Sequence, residues 1–307
     1  MKRHVPLISA HGSKSLLSAA LALAVLIVTV YIVISGFTHG VAAAAAMPDV
    51  SGPAPEDAGI LLPIVMYHST HPKNPGKYNV TPEQFERDIC YIKSRGYTPI
   101  NVADLKRYTL TGEIVDKPVM ITLDDGYTNN YVHIFPLLKK YDVKCVMAVI
   151  GNLTDANYRK DTGEMSMTWS HLTYEQMREM SESGLVEIQN HTYAMHAFGK
   201  SGGRYGLKFK QGESLDHYVK AVTDDLVKWH GKLEDRAGVI CTAVAYPFGS
   251  YNKHAIRVVK ELGYFAGFTC TEKVNKINRG SDMFTLGRFN RHSGPSSEAF
   301  FAKLFTE

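Results

Sequence analysis

Two adjacent carboxylates, Asp124 and Asp125, close the apolar run Val119–Leu123 and precede Gly126 in the stretch ITLDDGYTNNY, residues 121–131. Like charges at the end of a buried strand raise each other's pKa and must be desolvated together, so the pair needs something positive beside it. Two imidazoles, His191 and His196, follow the run Leu185–Gln189 in EIQNHTYAMH, residues 187–196. Two more apolar runs end in unusual residues, AYPFGSYN at 245–252 and LGRFNRHSG at 286–294. One aspartate with two histidines is a ligand set for zinc or a similar divalent ion, with positions left for water and substrate. Such an ion would compensate the paired carboxylates. Each signal alone has a plainer reading, Asp-Asp-Gly and Tyr-Pro-Phe-Gly as turns, and two histidines five apart do not share a helical face. Their common place behind predicted strands is what points to a site.

The elements that must position these residues are legible from residue 60 onward. Short apolar runs, predicted as strands, occur at Leu62–Tyr67, Val119–Leu123, Val143–Ile150, Leu185–Gln189, Val239–Ala245, Phe265–Cys270 and Phe284–Phe289, with a weaker one near Pro99–Asn101. Helical patterns lie between them. In TPEQF, Thr81 is the predicted N-cap, Pro82 the first helical residue and Gln84 the third, with Phe85, Ile89 and Ile92 on one face. TYEQM repeats the device with Thr173 and Gln176, and Gly184 ends that helix. Leu215, Tyr218, Val222, Leu226, Trp229 and Leu233 predict a third apolar face, and Ile256, Val259 and Leu262 a fourth. Repeated strand-helix-strand alternation predicts an α/β fold with a parallel sheet and outer helices. A barrel and a doubly wound sheet both fit it. No Gly-x-Gly-x-x-Gly follows the first strand, which weakens a nucleotide-binding reading. In a β/α barrel the chemistry collects at the C-terminal strand ends, where the four stretches lie.

Taken together, these residues resemble the polysaccharide deacetylases of carbohydrate esterase family 4, from about Ile64 to Leu304. TLDDG resembles the family's first motif, which implies that Asp124 is the base and Asp125 a metal ligand. HTYAMH resembles the second, implying His191 and His196 as the other ligands. Its four intervening residues match the branch acting on poly-N-acetylglucosamine. YPFG resembles the third, in which the residue after proline offers its backbone N–H to the oxyanion; here that is Phe248. The family fold is a distorted β/α barrel, which implies about seven parallel strands. Two departures stand out. Ala245 occupies the place of the arginine that usually holds the base, and Leu286-Gly287-Arg288 replaces the usual Leu-x-His. Arg288 is therefore expected to reach the base, and His292 is either the proton donor or a surface-loop histidine. Tyr246, Pro247 and Trp169 are candidate substrate contacts, since flat apolar faces suit pyranose rings. The basic, glycine-rich stretch 200–212 reads as a solvated loop beside the histidines, and Tyr67-His68 as a structural pair at the same mouth. The resemblance implies a divalent metal, zinc first and cobalt, manganese or nickel as alternatives, and removal of N-acetyl groups from N-acetylglucosamine units. An O-deacetylase and a non-catalytic glycan-binding domain are the alternatives.

The surroundings are read from the remaining sequence. Lys2, Arg3 and Lys14, in a basic flank over 1–14, precede Ser15–Thr38, a run of 24 uncharged residues. That run is long enough to cross a bilayer, and its flank predicts a cytoplasmic N-terminus with the rest outside. Cleavage of a signal peptide in VAAAAAM, residues 41–47, is the alternative. Residues 39–60 read as a linker and 61–307 as one catalytic domain. Of the formal net charge of +4, the flank supplies +3 and leaves +1 for the rest, which argues against a nucleic-acid partner. The expected partners are an N-acetylated polysaccharide and, through residues 15–38, the membrane; no protein partner is predicted. The four cysteines, Cys90, Cys145, Cys241 and Cys270, are expected as core thiols, with Cys241–Cys270 the least implausible bridge.

Overall fold

The structure, a computed structural model, describes residues 59–73, 75–158, 166–199 and 204–305. The predicted basic flank, the apolar run 15–38 and nearly all of the linker lie outside them. Among the described residues no helix is long and apolar enough to cross a membrane.

The strands are β1 (Ile60–Leu62), β2 (Ile64–Tyr67), β3 (Ser69–Thr70), β4 (Asn79–Val80), β5 (Thr98–Ile100), β6 (Pro118–Leu123), β7 (Cys145–Val149), β8 (Val186–Asn190), β9 (Ala243–Ala245), β10 (Ala266–Phe268), β11 (Asn275–Ile277) and β12 (Phe289–Asn290). Eight of them form one parallel sheet in the order β10-β9-β8-β7-β6-β2-β12, with β5 beside the first half of β6. The other pairs are small: β1 runs antiparallel to β11, so Ile60, assigned to the linker, already pairs with Ile277, and β3 lies parallel to β4.

The sheet curls because one short segment touches both of its edges. Leu286 forms a parallel bridge to Phe268 of β10, and three residues later Phe289 is paired with Val65 of β2. This is a curled parallel sheet consistent with a distorted barrel. The crossing also explains why the predicted strand Phe284–Phe289 is not continuous. Its middle leaves the ladder: the Gly287 N–H donates to Asn275 Oδ1 and the Arg288 N–H to the Thr271 carbonyl. A Cβ on Gly287 would lie 2.5 Å from that carbonyl, so the approach requires glycine.

Side chains alternate across the sheet as a period of two demands. Val65, Ile121, Met147, Ile188 and Val244 face a core shared with the helices, whereas Ile64, Met120, Val146, Ala148, Ala243 and Ala245 face the other way. The helix starts follow the sequence signals. Thr81 Oγ1 accepts from the Gln84 N–H and caps Pro82–Ser94, and Thr173 with Gln176 forms a full capping box on Tyr174–Glu182. Gly184, at φ +73°, follows that helix. The long helix Leu215–Ala237 buries Tyr218, Val222, Leu226, Trp229 and Leu233, but Leu215, in its first turn, is 41% exposed. In Lys253–Glu261 the buried face is Ala255, Val258 and Val259, leaving Ile256 and Leu262 at its margin. All four cysteines are free; Cys145 and Cys241 are buried, while Cys90 and Cys270 are exposed, against the expectation for those two.

Trp229 ties this layer to the sheet, fully buried and with its indole N–H donating to the Val149 carbonyl at 2.7 Å. Trp229→Ala is expected to lower the unfolding free energy by about 3–5 kcal/mol. Urea denaturation checks it, and a loss under about 1 kcal/mol would contradict this packing.

Candidate active site

Four strands of the curled sheet deliver their C-terminal residues to one place. β6 runs into Asp124 and Asp125, β8 into His191, β9 into the turn 246–249, and β2 into His68. Left-handed backbone concentrates here: Asp125 (φ +71°), Gly126 (+73°), Thr192 (+68°) and Phe248 (+58°). Side chains with a Cβ rarely adopt this region, and it costs of order 1–3 kcal/mol per residue. At Gly126 the demand is absolute, since a Cβ would come 2.6 Å from Val149 Cγ1.

Asp125 Oδ1 faces His191 Nε2 at 3.5 Å and His196 Nε2 at 3.4 Å. The ligand atoms of these three side chains all lie within 4.8 Å of one another. Asp125 Oδ1 is buried and has no hydrogen-bond partner, a costly state for a carboxylate oxygen unless a cation meets it. His191 Nδ1 is held by the Ala245 carbonyl at 2.8 Å, which fixes the tautomer with Nε2 free to coordinate. The loop between the histidines is clamped as well, with the Tyr193 and Ala194 N–H groups donating to Asp225 at 2.7 and 2.9 Å. Burial, and then repulsion from His191, pushes the His196 imidazole down to about 4, so it is neutral at pH 7 with a lone pair to offer. Burial raises Asp125, but the facing histidines more than offset this and hold it well below the usual carboxylate range. These donors fit a divalent metal ion.

Asp124 has a different partner. Arg288, 0% exposed, donates from Nη1 and Nη2 to its two oxygens, both at 2.7 Å. The guanidinium is itself fixed by the Thr269 carbonyl (3.0 Å, from Nε) and by Thr122 Oγ1 (3.2 Å). Burial raises the Asp124 carboxyl, and Arg288 outweighs it and keeps the group anionic. The expectation that Arg288 reaches Asp124 thus agrees with the geometry.

The remaining candidates divide. Phe248 packs on His196 with ring centroids 4.3 Å apart. Pro247 is buried in the same turn. Tyr246 is not a surface contact: it is fully buried and its hydroxyl donates to the Phe284 carbonyl. Trp169 is 77% exposed on a loop that docks on the aspartate turn, where the Leu172 N–H donates to the Gly126 carbonyl. His292 is exposed, lines a cleft with Gly76, Lys77 and Glu272, and has no hydrogen bond or ion pair to the four clustered residues. The imidazole at the cluster is instead that of His68: its buried Nδ1 lacks a partner, and burial outweighs the nearby charges of Asp125 and Asp124 and lowers its pKa. Its place directly behind a predicted strand, like that of Asp124, was the available signal. The described part of the basic stretch, 204–212, is anchored rather than merely solvated. Arg204 and Glu213 form a buried bidentate pair, the Leu207 N–H donates to the Ser250 carbonyl, and Ser250 Oγ donates to that of Tyr205.

The polysaccharide deacetylase family model matches residues 111–267, a span that contains Asp124, Asp125, both histidines and Phe248. The chain belongs to the polysaccharide deacetylase family. Among curated relatives, the YxkH protein of Bacillus subtilis (strain 168), named for the same family, is 31% identical over 244 residues, covering 79% of this chain and 76% of that protein. The poly-beta-1,6-N-acetyl-D-glucosamine N-deacetylase of Escherichia coli (strain K12) is 25% identical over 243 residues, or 74% of this chain but 36% of that protein. Among solved structures, the Streptococcus pyogenes deacetylase PplD in complex with acetate superposes with a TM-score of 0.64 at 26% identity, covering 81% of this chain and all of that one. In this polysaccharide deacetylase, His68 and Arg288 enter the site from outside the matched residues.

Arg288→Met leaves a buried, unpaired carboxylate and is expected to cost about 3–5 kcal/mol of stability. Adding Asp124→Asn should restore much of it. Thermal unfolding of the single and double variants checks this, and additive losses would contradict the pairing.

Proposed function

We propose that this polysaccharide deacetylase is a metal-dependent hydrolase that removes N-acetyl groups from N-acetylglucosamine units of a cell-wall or surface polysaccharide. The observation that carries the reading is the division of labour between neighbouring aspartates. Asp125 is turned to two imidazoles with an oxygen left for a cation, and Asp124 is clamped as an anion beside it. The E. coli relative's name, which specifies N-acetylglucosamine, supports the substrate class.

Asp125, His191 and His196 would hold the ion, zinc first on the basis of the imidazole-carboxylate set, with cobalt, manganese or nickel also accepted by such donors. A divalent ion there polarises an acyl oxygen and lowers the pKa of water. Asp124 keeps lone pairs outside its Arg288 bonds and takes the proton of the attacking water. In the turn beyond β9, Gly249 and Ser250 spend their N–H groups on the Tyr246 and Pro247 carbonyls. Phe248 is thus the residue that offers an N–H to the developing oxyanion. The departing nitrogen must be protonated, and His68 takes that place over His292 because it is the imidazole beside the carboxylates that is not in the Asp-His-His set; burial keeps it neutral, so it gives up its ring N–H and is reprotonated in turn. The sequence before residue 59 supports the setting: the basic flank and the apolar run 15–38 favour an enzyme anchored with its domain outside the membrane, or secreted after cleavage.

The deciding experiment strips the full chain with chelator, restores zinc or cobalt, and measures acetate release from N-acetylglucosamine oligomers and peptidoglycan. Metal-dependent acetate that is lost in Asp124→Asn is expected. Acetate only from O-acetylated glycans would contradict the N-deacetylase reading. His68→Ala is expected to lower kcat by about 10²–10⁴ and His292→Ala by less than about twofold. The reverse order would return the donor role to His292.

A further inference from the structure

An aromatic cluster whose rings take no part in the chemistry adjoins the metal ligands. Phe248 touches His196 and is itself flanked by two further rings: Phe198 at 4.7 Å between centroids and Tyr205 at 4.9 Å. Phe198 and Tyr205 form an isolated antiparallel bridge, which puts their side chains on the same face. Phe198 is nevertheless 68% exposed and Tyr205 38% exposed. Lys208 Nζ lies 5.4 Å from the centroid of the Tyr205 ring, so Tyr205 is a supporting ring and Phe198 presents the open face. Large apolar rings held this far into water beside a polar centre lose the benefit of burial unless a ligand covers them. The Gly206 N–H donates to the Ala197 carbonyl, Ser250 Oγ to that of Tyr205 and the Leu207 N–H to that of Ser250, so the described residues around both rings are tied to the turn that holds Phe248 before any ligand arrives.

We infer that Phe198, backed by Phe248 and Tyr205, stacks against the pyranose next to the one whose acetamide lies at the metal centre. The platform makes the enzyme select a chain of sugars over a single N-acetylglucosamine. It rests on the reading of the site as a glycan deacetylase, and it deepens that reading by assigning a subsite one ring away from the reacting unit. An apolar pyranose face on an aromatic face is the chemistry of recognition.

Isothermal titration of the zinc-loaded full chain with monomeric and with β-1,6-linked N-acetylglucosamine oligomers tests this. The wild type is expected to bind the tetramer at least tenfold more tightly than the monomer. Phe198→Ala should abolish that difference, Phe198→Tyr should retain it, and Tyr205→Ala should reduce it. Hydrolysis of a small aryl acetate by Phe198→Ala should stay within twofold of wild type, as the ring does not touch the reacting atoms. Equal tetramer affinity in Phe198→Ala and wild type would overturn the platform, as would a wild type that binds tetramer no better than monomer. If tetramer binding depends on Phe198 but no acetate is released, the platform stands and the deacetylase reading fails. If acetate is released while Phe198→Ala keeps full affinity, the reading stands and the platform fails.

Discussion

The buried ion pair between Arg288 and Asp124 is the contact on which the rest of the site depends. Two carboxylates in sequence cannot both stay ionised in a buried place unless each has its own counter-charge. Arg288 serves one; the other, with the two imidazoles it faces, fits a cation. The pair also bears on the fold, because Arg288 sits in the segment that touches both edges of the curled sheet. β12 is two residues long, too little ladder to set its own position. Three residues beyond Arg288, Arg291 makes a second fully buried bidentate pair with Asp88, which also accepts from Tyr67 and Ser297. Charge pairing therefore fixes the closing segment where strand pairing does not. Buried pairs add little net stability against an apolar replacement, but breaking one is costly, so they specify arrangement more than they stabilise it.

The Asp125, His191 and His196 cluster is held by backbone as much as by side chains. Strained left-handed residues turn Asp125 and Phe248 inward, a carbonyl orients His191, and a helix carboxylate clamps the loop between the histidines. Preorganisation of this sort fixes the donors before an ion or substrate is present, so little reorganisation remains for the reaction itself.

Most of the fold was legible because strands and helices obey their periods and caps. That Asp125, His191 and His196 would come together was legible because they stand directly behind those strands. Arg288 could be anticipated only through a missing charge at Ala245. Tyr246 was misread although the period of two contained the answer: Tyr246 falls on the helix-facing side of the sheet and Ala245 on the other. His292 could not be separated from His68 by sequence, because the chain leaves the sheet after Asn290 and no periodicity then tells which way a side chain points. Phe198 and Tyr205 are joined by a pairing with no local pattern, so only the folded chain brings them together.

X-ray absorption at the zinc edge of the reconstituted full chain reads the donor set of Asp125, His191 and His196 itself. Two imidazole nitrogens are expected at about 2.0–2.1 Å, with carboxylate and solvent oxygens completing the shell. His196→Ala should lose one imidazole, and Asp124→Asn should leave the shell unchanged. A shell without imidazole, or one that loses a ligand when Asp124 rather than His196 is replaced, would contradict that donor set.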